Sequence, residues 1–407
     1  MLDVLVIGAG PAGLYAADRL AAAGLKVEII DRMPSPARKF LMAGRGGLNI
    51  THSEDLDTFV DRYREAAPFL APLIEAFPPK ALTDWCHGLG QDTFVGSSGR
   101  VFPVAMKASP LLRALLRQLQ DRGVSLKTRQ SLTGLSASNM AIVQSENGET
   151  CEIGARAILL ALGGASWPKL GSTAAWVPLL EKRGVKVTPF QAANCGFEIA
   201  WSPFLKDRFS GSPLKRIGLC LAGHHVLGEA ILSEKGLEGG AVYALSAEIR
   251  DTINRLGSAE LEIDLRPGLS AGQLAEKLAR PRGKQTWSTF LKKALRLKPV
   301  EIALLHETGP LPDDPASLSD RIKRVKLTSK APYPIDRAIS SAGGIALDEL
   351  EDTLMLKKIP GVFAAGEMLD WEAPTGGYLL QACFATAHRA ASAITTYLKT
   401  DKAGHKP

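Results

Sequence analysis

The first residues of the chain place a glycine-rich turn between an apolar strand and a helix. Gly8, Gly10 and Gly13 form the pattern G-x-G-x-x-G, and the next strand ends at Asp31, about 20 residues beyond the last glycine. The first glycine permits a tight turn, the second lets a pyrophosphate approach the backbone, and the third lets the helix pack closely on the strand. The turn therefore predicts a dinucleotide-binding βαβ unit with cofactor contacts from Gly8, Gly10, Pro11, Ala12, Gly13, Asp31 and Arg32.

Composition and cysteine spacing disfavour several classes of protein. The 407 residues are 45% hydrophobic and 22% charged, and no apolar stretch approaches the roughly 18 residues that a membrane helix needs. The first residues show no basic segment and no small-residue cleavage site before the first strand, so we expect no secretory leader. The five cysteines are widely spaced and form no C-x-x-C pair, which disfavours a disulfide framework or a zinc site. We therefore expect a cytoplasmic protein with no metal and no membrane partner.

The net charge of +7 has local sources, among them Arg321–Lys326 and Lys292–Lys298. A basic surface attracts nucleic acids and anionic substrates. A solvated face together with a field that suits an anionic cofactor is the simpler interpretation. The sequence therefore disfavours a nucleic-acid partner.

Strands and helices alternate regularly up to residue 189 but not between residues 190 and 333. Glycine-rich turns return after residue 334, and a last strand at Val362–Ala365 is needed to complete a parallel sheet. The sequence therefore predicts an α/β protein. Its Rossmann-like domain is discontinuous, with residues 1–189 and 334–407, and residues 190–333 form an inserted domain.

Further turns indicate which dinucleotide is bound. The strand before Gly366 and Glu367 offers close backbone approach and a charged acceptor to a ribityl hydroxyl. Gly376 and Gly377 open the last helix, whose N–H groups suit negative charge at N1 and O2 of a reduced flavin. No second G-x-G-x-x-G follows a strand, so NAD(P)H is expected only as a transient electron donor. These turns predict FAD as the resident cofactor and add Lys39, Gly44, Arg45, Gly46, Asn49, Ala161, Leu162, Gly163, Gly366, Glu367, Asp370, Gly376, Gly377, Tyr378 and Leu379 to the cofactor-binding residues.

Over nearly its whole length the chain resembles a family of bacterial flavoproteins. It is similar to the BaiN/RdsA-like NAD(P)/FAD-dependent oxidoreductases, also described as the aminoacetone oxidase family. The resemblance rests on the first glycine turn and on Arg38–His52, Gly99–Lys107, Gly163–Ser172, Ala342–Ile345 and Gly366–Tyr378. Gly47 and Leu48 stand where the commoner family form has arginine and cysteine, which indicates a subgroup. The resemblance implies an insert that holds a small β-barrel and a helical part.

These observations predict an FAD-dependent oxidoreductase that acts on a small molecule by hydride transfer and is itself reduced by NAD(P)H. An amine oxidase that uses O2 is the alternative, and an RNA-modifying flavoprotein is a third. No acid or base catalyst is assigned. His224–His225 is interpreted as a hairpin turn, His388 and Cys383 as packing residues, and Glu372 as facing solvent. The substrate is expected where the turn at Gly376–Tyr378 faces the insert.

Overall fold

The computed structural model of the protein describes residues 2–43 and 46–404, with side chains up to residue 400. The strands are β1 (Leu2–Ile7), β2 (Val27–Asp31), β3 (Thr51–His52), β4 (Thr93–Val95), β5 (Arg100–Pro103), β6 (Ser125–Thr128), β7 (Gln130–Leu135), β8 (Ala141–Ser145), β9 (Thr150–Ile153), β10 (Ala155–Leu160), β11 (Val187–Ala193), β12 (Phe197–Ile199), β13 (Ser212–Leu221), β14 (His224–Leu232), β15 (Gly236–Glu238), β16 (Ala259–Asp264), β17 (Val325–Pro332), β18 (Ser340–Ile345) and β19 (Val362–Ala364). The helices are α1 (Pro11–Ala22), α2 (Arg38–Ala43), α3 (Leu56–Asp61), α4 (Ala67–Ala76), α5 (Pro79–Gly88), α6 (Ala108–Asp121), α7 (Val177–Glu181), α8 (Pro203–Phe209), α9 (Gly240–Ala244), α10 (Ser246–Leu256), α11 (Ala271–Leu278), α12 (Trp287–Leu295), α13 (Pro299–Glu307), α14 (Pro315–Lys323) and α15 (Tyr378–Gly404).

A five-stranded parallel sheet in the order β19-β10-β1-β2-β6 forms the centre of the first unit. The apolar run Val4–Ile7 of β1 lies in the middle of this sheet and is almost completely buried. A strand that is covered on both faces is expected to be a continuous apolar run rather than an alternating one. The helix α1 packs against α15 and α6. The predicted Rossmann-like α/β fold is therefore confirmed.

Three small sheets accompany the central sheet. β3, β5 and β4 form one antiparallel sheet, and β7, β8 and β9 form a second. β11 pairs with β18, so the chain segments before and after the insert meet in one two-stranded sheet.

The insert forms a unit of its own. Clustering of contacts within the chain gives one unit of residues 1–191 and 339–407 and a second unit of residues 192–338; the sequence placed the breaks after residues 189 and 333. In the second unit, six strands close into a barrel in the order β12-β15-β14-β13-β16-β17, and helices α8 to α14 complete it. The barrel and the helical part that the resemblance implied are both present.

The hydrophobic core of the insert is built from alternating strand residues and one face of each longer helix. In β16, Leu261 and Ile263 point inward and are completely buried. The helix α11 begins with a capping box, because the Ser270 side chain accepts from the Gln273 backbone and the Gln273 side chain accepts in return. Within the described residues, no helix is both long enough and apolar enough to cross a membrane.

Candidate cofactor site

The three fingerprint glycines have different surroundings, and these explain why each position is glycine. Gly8 has a φ of 109°, and a Cβ atom there would lie 2.2 Å from the carbonyl oxygen of Ala161. A Cβ atom on Gly13 would lie 1.9 Å from the carbonyl oxygen of Gly8. At Gly10, by contrast, no atom of the described residues lies within 4 Å of that position. Gly8 and Gly13 therefore hold β1, α1 and the end of β10 together, whereas Gly10 opens onto free space.

That free space belongs to a cavity of about 330 Å³ at the carboxyl ends of β1, β2 and β10. Ligands bind at this edge in open parallel sheets, where the helix N-terminus after the first strand favours phosphate. Twelve of the predicted cofactor residues line the cavity: Gly8, Gly10, Pro11, Ala12, Asp31, Arg32, Lys39, Ala161, Leu162, Gly163, Gly366 and Glu367. The structure thus brings together residues from four separate parts of the chain.

Asp31 lies at one end of this set, at the carboxyl end of β2. Its Oδ2 accepts the Ala9 N–H at 2.7 Å, and its Oδ1 accepts the Met33 N–H at 2.7 Å. Burial raises the pKa of the Asp31 carboxyl above its usual value, against the opposing effect of these two hydrogen bonds. Because a carboxylate oxygen has more than one lone pair, each oxygen retains the capacity to accept a ribose hydroxyl.

Lys39 and Glu367 form a second polar group in the cavity wall. The Lys39 ammonium lies 2.7 Å from Glu367 Oε2 and 2.6 Å from Ser166 Oγ. Glu367 Oε1 also accepts the backbone N–H of Ser341 at 3.1 Å, and the carboxylate side chain is 8% exposed. The helix α2, the strand β18 and the turn after β19 are therefore tied to one buried carboxylate.

The cavity wall also contains residues outside the predicted set of cofactor contacts, namely Ile7, Ile30, Met33, Ser35, Ala37, Arg38, Phe40, Gln130, Ser131, Leu132, Leu170, Gly171, Ser172, Thr173, Ala175, Trp176, Ala365 and Cys383. Gly171 and Ser172 belong to the segment Gly163–Ser172, which the sequence analysis had already singled out. Cys383 was interpreted as a packing residue; it is buried, and burial raises the pKa of its thiol to about 12.

A buried hydroxyl in the cavity wall lacks a partner. Among the described side chains and backbone groups, nothing hydrogen-bonds to the Ser172 Oγ atom, although it is shielded from solvent. Buried polar atoms in native proteins nearly always have a partner, so an orphan here indicates that a ligand or a water completes the site. The hydroxyl of the next residue, Thr173, already accepts the Arg32 guanidinium at 2.7 Å. Of these two neighbouring hydroxyls, the one on Ser172 is therefore available to a ligand.

The structure places other predicted residues outside this cavity. Gly13 is covered by Gly8, and Asp370 accepts the Thr188 hydroxyl at 2.6 Å on the wall of a second cavity. Gly44 and Arg45 lie outside the described residues. The remaining residues, Gly46, Asn49, Gly376, Gly377, Tyr378 and Leu379, do not line this cavity either.

Four of the residues in that last group, Gly376, Gly377, Tyr378 and Leu379, lie at the start of α15. Gly377 fits tightly against Thr51, because a Cβ atom on Gly377 would lie 2.5 Å from the Thr51 Cα atom. Among the described residues, the side-chain oxygens of Asn49, Thr51 and Gln381 are buried without a hydrogen-bond partner. Unpaired polar side chains next to a helix N-terminus suit the polar edge of a flavin ring. Cofactor contact by Asn49 and Gly377 therefore stays a prediction.

The Tyr378 side chain has protein partners instead of cavity contacts. Its hydroxyl donates to Glu54 Oε1 at 2.5 Å, and Arg62 holds the other Glu54 oxygen at 2.8 Å. The Tyr378 ring stacks on His52 with 5.5 Å between centroids. Burial together with the hydrogen bond to Glu54 raises the pKa of Tyr378, which keeps the phenol protonated at neutral pH. This cluster fixes the loop before α3 against the start of α15.

Glu372 does not face solvent, so that expectation is wrong. Its carboxylate lies 3.2 Å from the Arg64 guanidinium, and its side chain is 14% exposed. Arg64 comes from the segment between α3 and α4, and this approach was not visible in the local sequence. Glu367 is thus a buried and Glu372 a partly buried ion-paired carboxylate, and of the two only Glu367 lines the cofactor cavity.

The fit to FAD rests on the shape and chemistry of the cavity. Gly10 leaves space at the N-terminus of α1 for a pyrophosphate, Asp31 offers an acceptor for the adenosine ribose, and Ser172 carries an unpaired hydroxyl. A parallel sheet with this fingerprint, a late strand that ends in Gly-Glu and a barrel-containing insert define an FAD-dependent oxidoreductase of the Rossmann type. Within the described residues, no group of three or more histidine, cysteine or acidic side chains is placed to hold a metal ion.

Comparison with known proteins assigns the chain to one family within this class. The family model described as the HI0933-like protein Rossmann domain matches residues 2–393, and the chain belongs to this family. It is similar to the 3-dehydro-bile acid delta(4,6)-reductase of Clostridium scindens, with 25% identity over 406 residues that cover 95% of this chain and 98% of that protein. It is also similar to the ribosomal RNA dihydrouridine synthase of Escherichia coli, with 24% identity over 404 residues that cover 95% of this chain and 96% of the relative.

Among solved structures, the fold is similar to that of the 3-ketosteroid delta1-dehydrogenase from Sterolibacterium denitrificans. The TM-score is 0.55, the sequence identity is 14%, and the match covers 97% of this chain and 99% of that chain. At this level of identity the likeness concerns the fold alone.

The cavity leads to a prediction about cofactor identity. The purified protein is expected to release FAD rather than FMN, because FMN would leave Asp31 and the space at Gly10 without a ligand group. Chromatography of the flavin released by denaturation checks this. Recovery of FMN, or of no flavin after incubation with FAD, contradicts the assignment of the cavity to a dinucleotide.

Proposed function

We propose that the protein is an NAD(P)H-dependent reductase that delivers a hydride through FAD to an electron-poor carbon–carbon double bond of a small molecule. The names of the two curated relatives support the reductive direction. One is named a reductase, and the other is named a synthase of dihydrouridine, a nucleoside with two hydrogens more than uridine. The observation that carries the proposal is the cavity at the N-terminus of α1, because its lining residues fit FAD. The sequence contains no second dinucleotide fingerprint for a resident nicotinamide cofactor.

The residues of this chain then have defined tasks. The N-terminal backbone of α1 beside Gly10 and Ala12 would hold the pyrophosphate, and Asp31 would accept the ribose hydroxyls. The Lys39–Glu367 pair connects α2, β18 and the turn after β19 in another part of the cavity wall. Bound FAD supplies the ability to accept a hydride from NAD(P)H and to donate one to a substrate. The protein supplies orientation, electrostatic balance and exclusion of water.

Two parts of the sequence-based hypothesis remain proposals. We infer that NAD(P)H binds transiently, since the described structure offers one dinucleotide fingerprint and FAD fits it. A part for residues 190–333 in substrate binding also stays a prediction from the sequence. An amine oxidase is the competing function, and it differs in the direction of electron flow: an amine reduces the flavin, and O2 reoxidises it.

Anaerobic reduction of the holoenzyme distinguishes these functions. NADH or NADPH is expected to bleach the visible absorbance of the flavin at a rate that saturates with donor concentration, whereas primary amines leave it unchanged. The reduced enzyme is then mixed with an enone, such as an unsaturated 3-ketosteroid, or with aerated buffer. Faster reoxidation by the enone than by O2 supports the proposal. Bleaching by an amine, followed by rapid reoxidation with hydrogen peroxide release, would establish the oxidase instead.

A further inference from the structure

The residue that follows the glycine pair at the start of α15 is held from three directions. The Tyr63 hydroxyl donates to the Tyr378 carbonyl at 2.8 Å. The Tyr378 hydroxyl donates to Glu54 Oε1 at 2.5 Å. The Tyr378 ring folds back over the turn, since a Cβ atom on Gly376 would lie 2.5 Å from the ring atom Cε2. The position of Tyr378 is therefore coupled to the conformation of the turn at Gly376–Gly377.

Two opposite charges lie against Tyr378, and we call them the Glu54–Arg62 pair. The Arg62 guanidinium donates to both oxygens of the Glu54 carboxylate, at 3.2 Å from Nε and 2.8 Å from Nη2. Its central carbon lies 5.9 Å from the centre of the Tyr378 ring. The Glu54 side chain is only 13% exposed, whereas that of Arg62 is 44% exposed. Water screens a shielded carboxylate less than a surface charge, so its field reaches further.

Unpaired polar atoms next to this turn indicate that a ligand binds there. Thr51 and Gln381 are completely buried, and neither Thr51 Oγ1 nor Gln381 Oε1 has a hydrogen-bond partner in the part of the chain that the structure describes. Thr51 packs against Gly377, and the Gln381 N–H donates to the Gly377 carbonyl. Buried polar atoms normally have partners, so a polar ligand edge at the N-terminus of α15 would complete this set.

Charges beside such a site affect the reduction of a flavin. A hydride carries two electrons and one proton, so the ring that accepts it gains one net negative charge. The N–H groups at the N-terminus of α15 favour that charge. A nearby carboxylate disfavours it, and a nearby guanidinium favours it, without either group having to touch the ring. The Glu54–Arg62 pair therefore combines two opposing effects on the same equilibrium.

We propose that the Glu54–Arg62 pair sets the midpoint potential of the bound flavin, with Tyr378 as the positioning residue that holds the turn at Gly376–Gly377. The proposal rests on the proposed function, because it requires FAD with its ring at the N-terminus of α15. It extends that function to side chains that do not line the cofactor cavity.

The test removes the two charges of the holoenzyme singly and together. Glu54→Gln keeps an oxygen that can accept the Tyr378 hydroxyl, Arg62→Gln removes the positive charge, and the double variant Glu54→Gln/Arg62→Gln removes both. Glu28 and Lys127 provide a matched control, because they lie 2.9 Å apart, their side chains are 10% and 54% exposed, and neither lines the cavity. Midpoint potentials are measured without oxygen against a reference dye, and melting temperature and flavin content are recorded for every variant.

Glu54→Gln is expected to raise the midpoint potential by about 15–30 mV, and Arg62→Gln is expected to lower it by a similar amount. For a two-electron couple these shifts correspond to a roughly three- to tenfold change in the reduction equilibrium. The double variant is expected to return close to the parent value, because both charges are absent. Glu28→Gln and Lys127→Gln are expected to leave the potential unchanged.

A pair that only stabilises the fold would give a different pattern. Shifts of the two single variants in the same direction, or no shift in either, overturn the inference and leave the proposed reductase function untouched. Loss of flavin from both single variants also overturns it, because a change of charge alone would not empty the site. A parent protein that binds no FAD overturns the cofactor assignment and this inference together.

Discussion

Gly10→Val is expected to give a folded protein that binds no FAD. A Cβ atom at Gly10 meets no described protein atom within 4 Å, so we expect the substitution to cause no clash with the protein itself. The branched side chain would occupy the space that the pyrophosphate needs. Replacing the glycine before α1 by valine also weakens the helix N-cap by about 1 kcal/mol, which predicts only a modest fall in the melting temperature. The ratio of bound flavin to protein after reconstitution measures the effect.

Two control variants separate this effect from general damage. Gly268→Val makes the same chemical change at an exposed position where a Cβ atom also meets nothing within 4 Å, and it is expected to keep full FAD occupancy. Gly13→Ala is expected to unfold the Rossmann unit, because its Cβ atom would lie 1.9 Å from the Gly8 carbonyl oxygen. Near-stoichiometric FAD in Gly10→Val would show that the phosphates bind elsewhere.

Glu367→Ala is expected to weaken FAD binding by roughly 10- to 100-fold, whereas Glu372→Ala leaves the affinity close to that of the parent. Loss of a charge-assisted hydrogen bond costs about 1.5–3 kcal/mol, which corresponds to this range. The Glu367 carboxylate lines the cavity and also holds Lys39 and the Ser341 N–H, so its removal loosens the cavity wall as well. Titration of the apoprotein with FAD, followed by flavin fluorescence, gives both dissociation constants.

Glu372 is a closely matched control for this comparison. Both carboxylates are ion-paired, Glu367 with Lys39 at 2.7 Å and Glu372 with Arg64 at 3.2 Å, and their side chains are 8% and 14% exposed. Both substitutions therefore remove a charge and an ion pair, but only Glu367 lines the cavity and accepts the Ser341 N–H. Similar dissociation constants for the two variants would mean that Glu367 acts on stability rather than on the cofactor.

Local sequence rules predicted the parts of the site that are defined by backbone conformation. The turn at Gly8, Gly10 and Gly13 follows such a rule, because a strand, a tight turn and a helix must join within a few residues. The Gly366–Glu367 turn after β19 follows a similar rule and also reaches the cavity. In both cases glycine stands where a side chain would clash with the protein or would fill space that the ligand needs.

The residues that the sequence missed reach the cavity through contacts between distant segments. The strand β7 contributes Gln130, Ser131 and Leu132 to the cavity wall. No glycine motif precedes these residues in the sequence to indicate a ligand contact. They arrive there because Arg129, with a φ of 58°, turns the chain after β6 and donates its N–H to the Met33 carbonyl. The same limit applies to charge, because Lys323 and Lys326 pair with Asp264 and Glu260, which lie about 60 positions earlier in the sequence.

Because the parallel sheet is split by the insert, two of its neighbouring strands are synthesised at widely separated times. In the parallel sheet β10 pairs with β19, although about 200 residues separate them, so at ~5–20 residues per second a nascent β10 waits roughly 10–40 s for its neighbour. During this interval one edge of β10 exposes unpaired backbone groups to other chains. The cavity also lacks Gly366, Glu367 and Cys383 until the same late segment emerges. Loading of FAD is therefore expected only after the segment that carries Gly366, Glu367 and Cys383 has been synthesised.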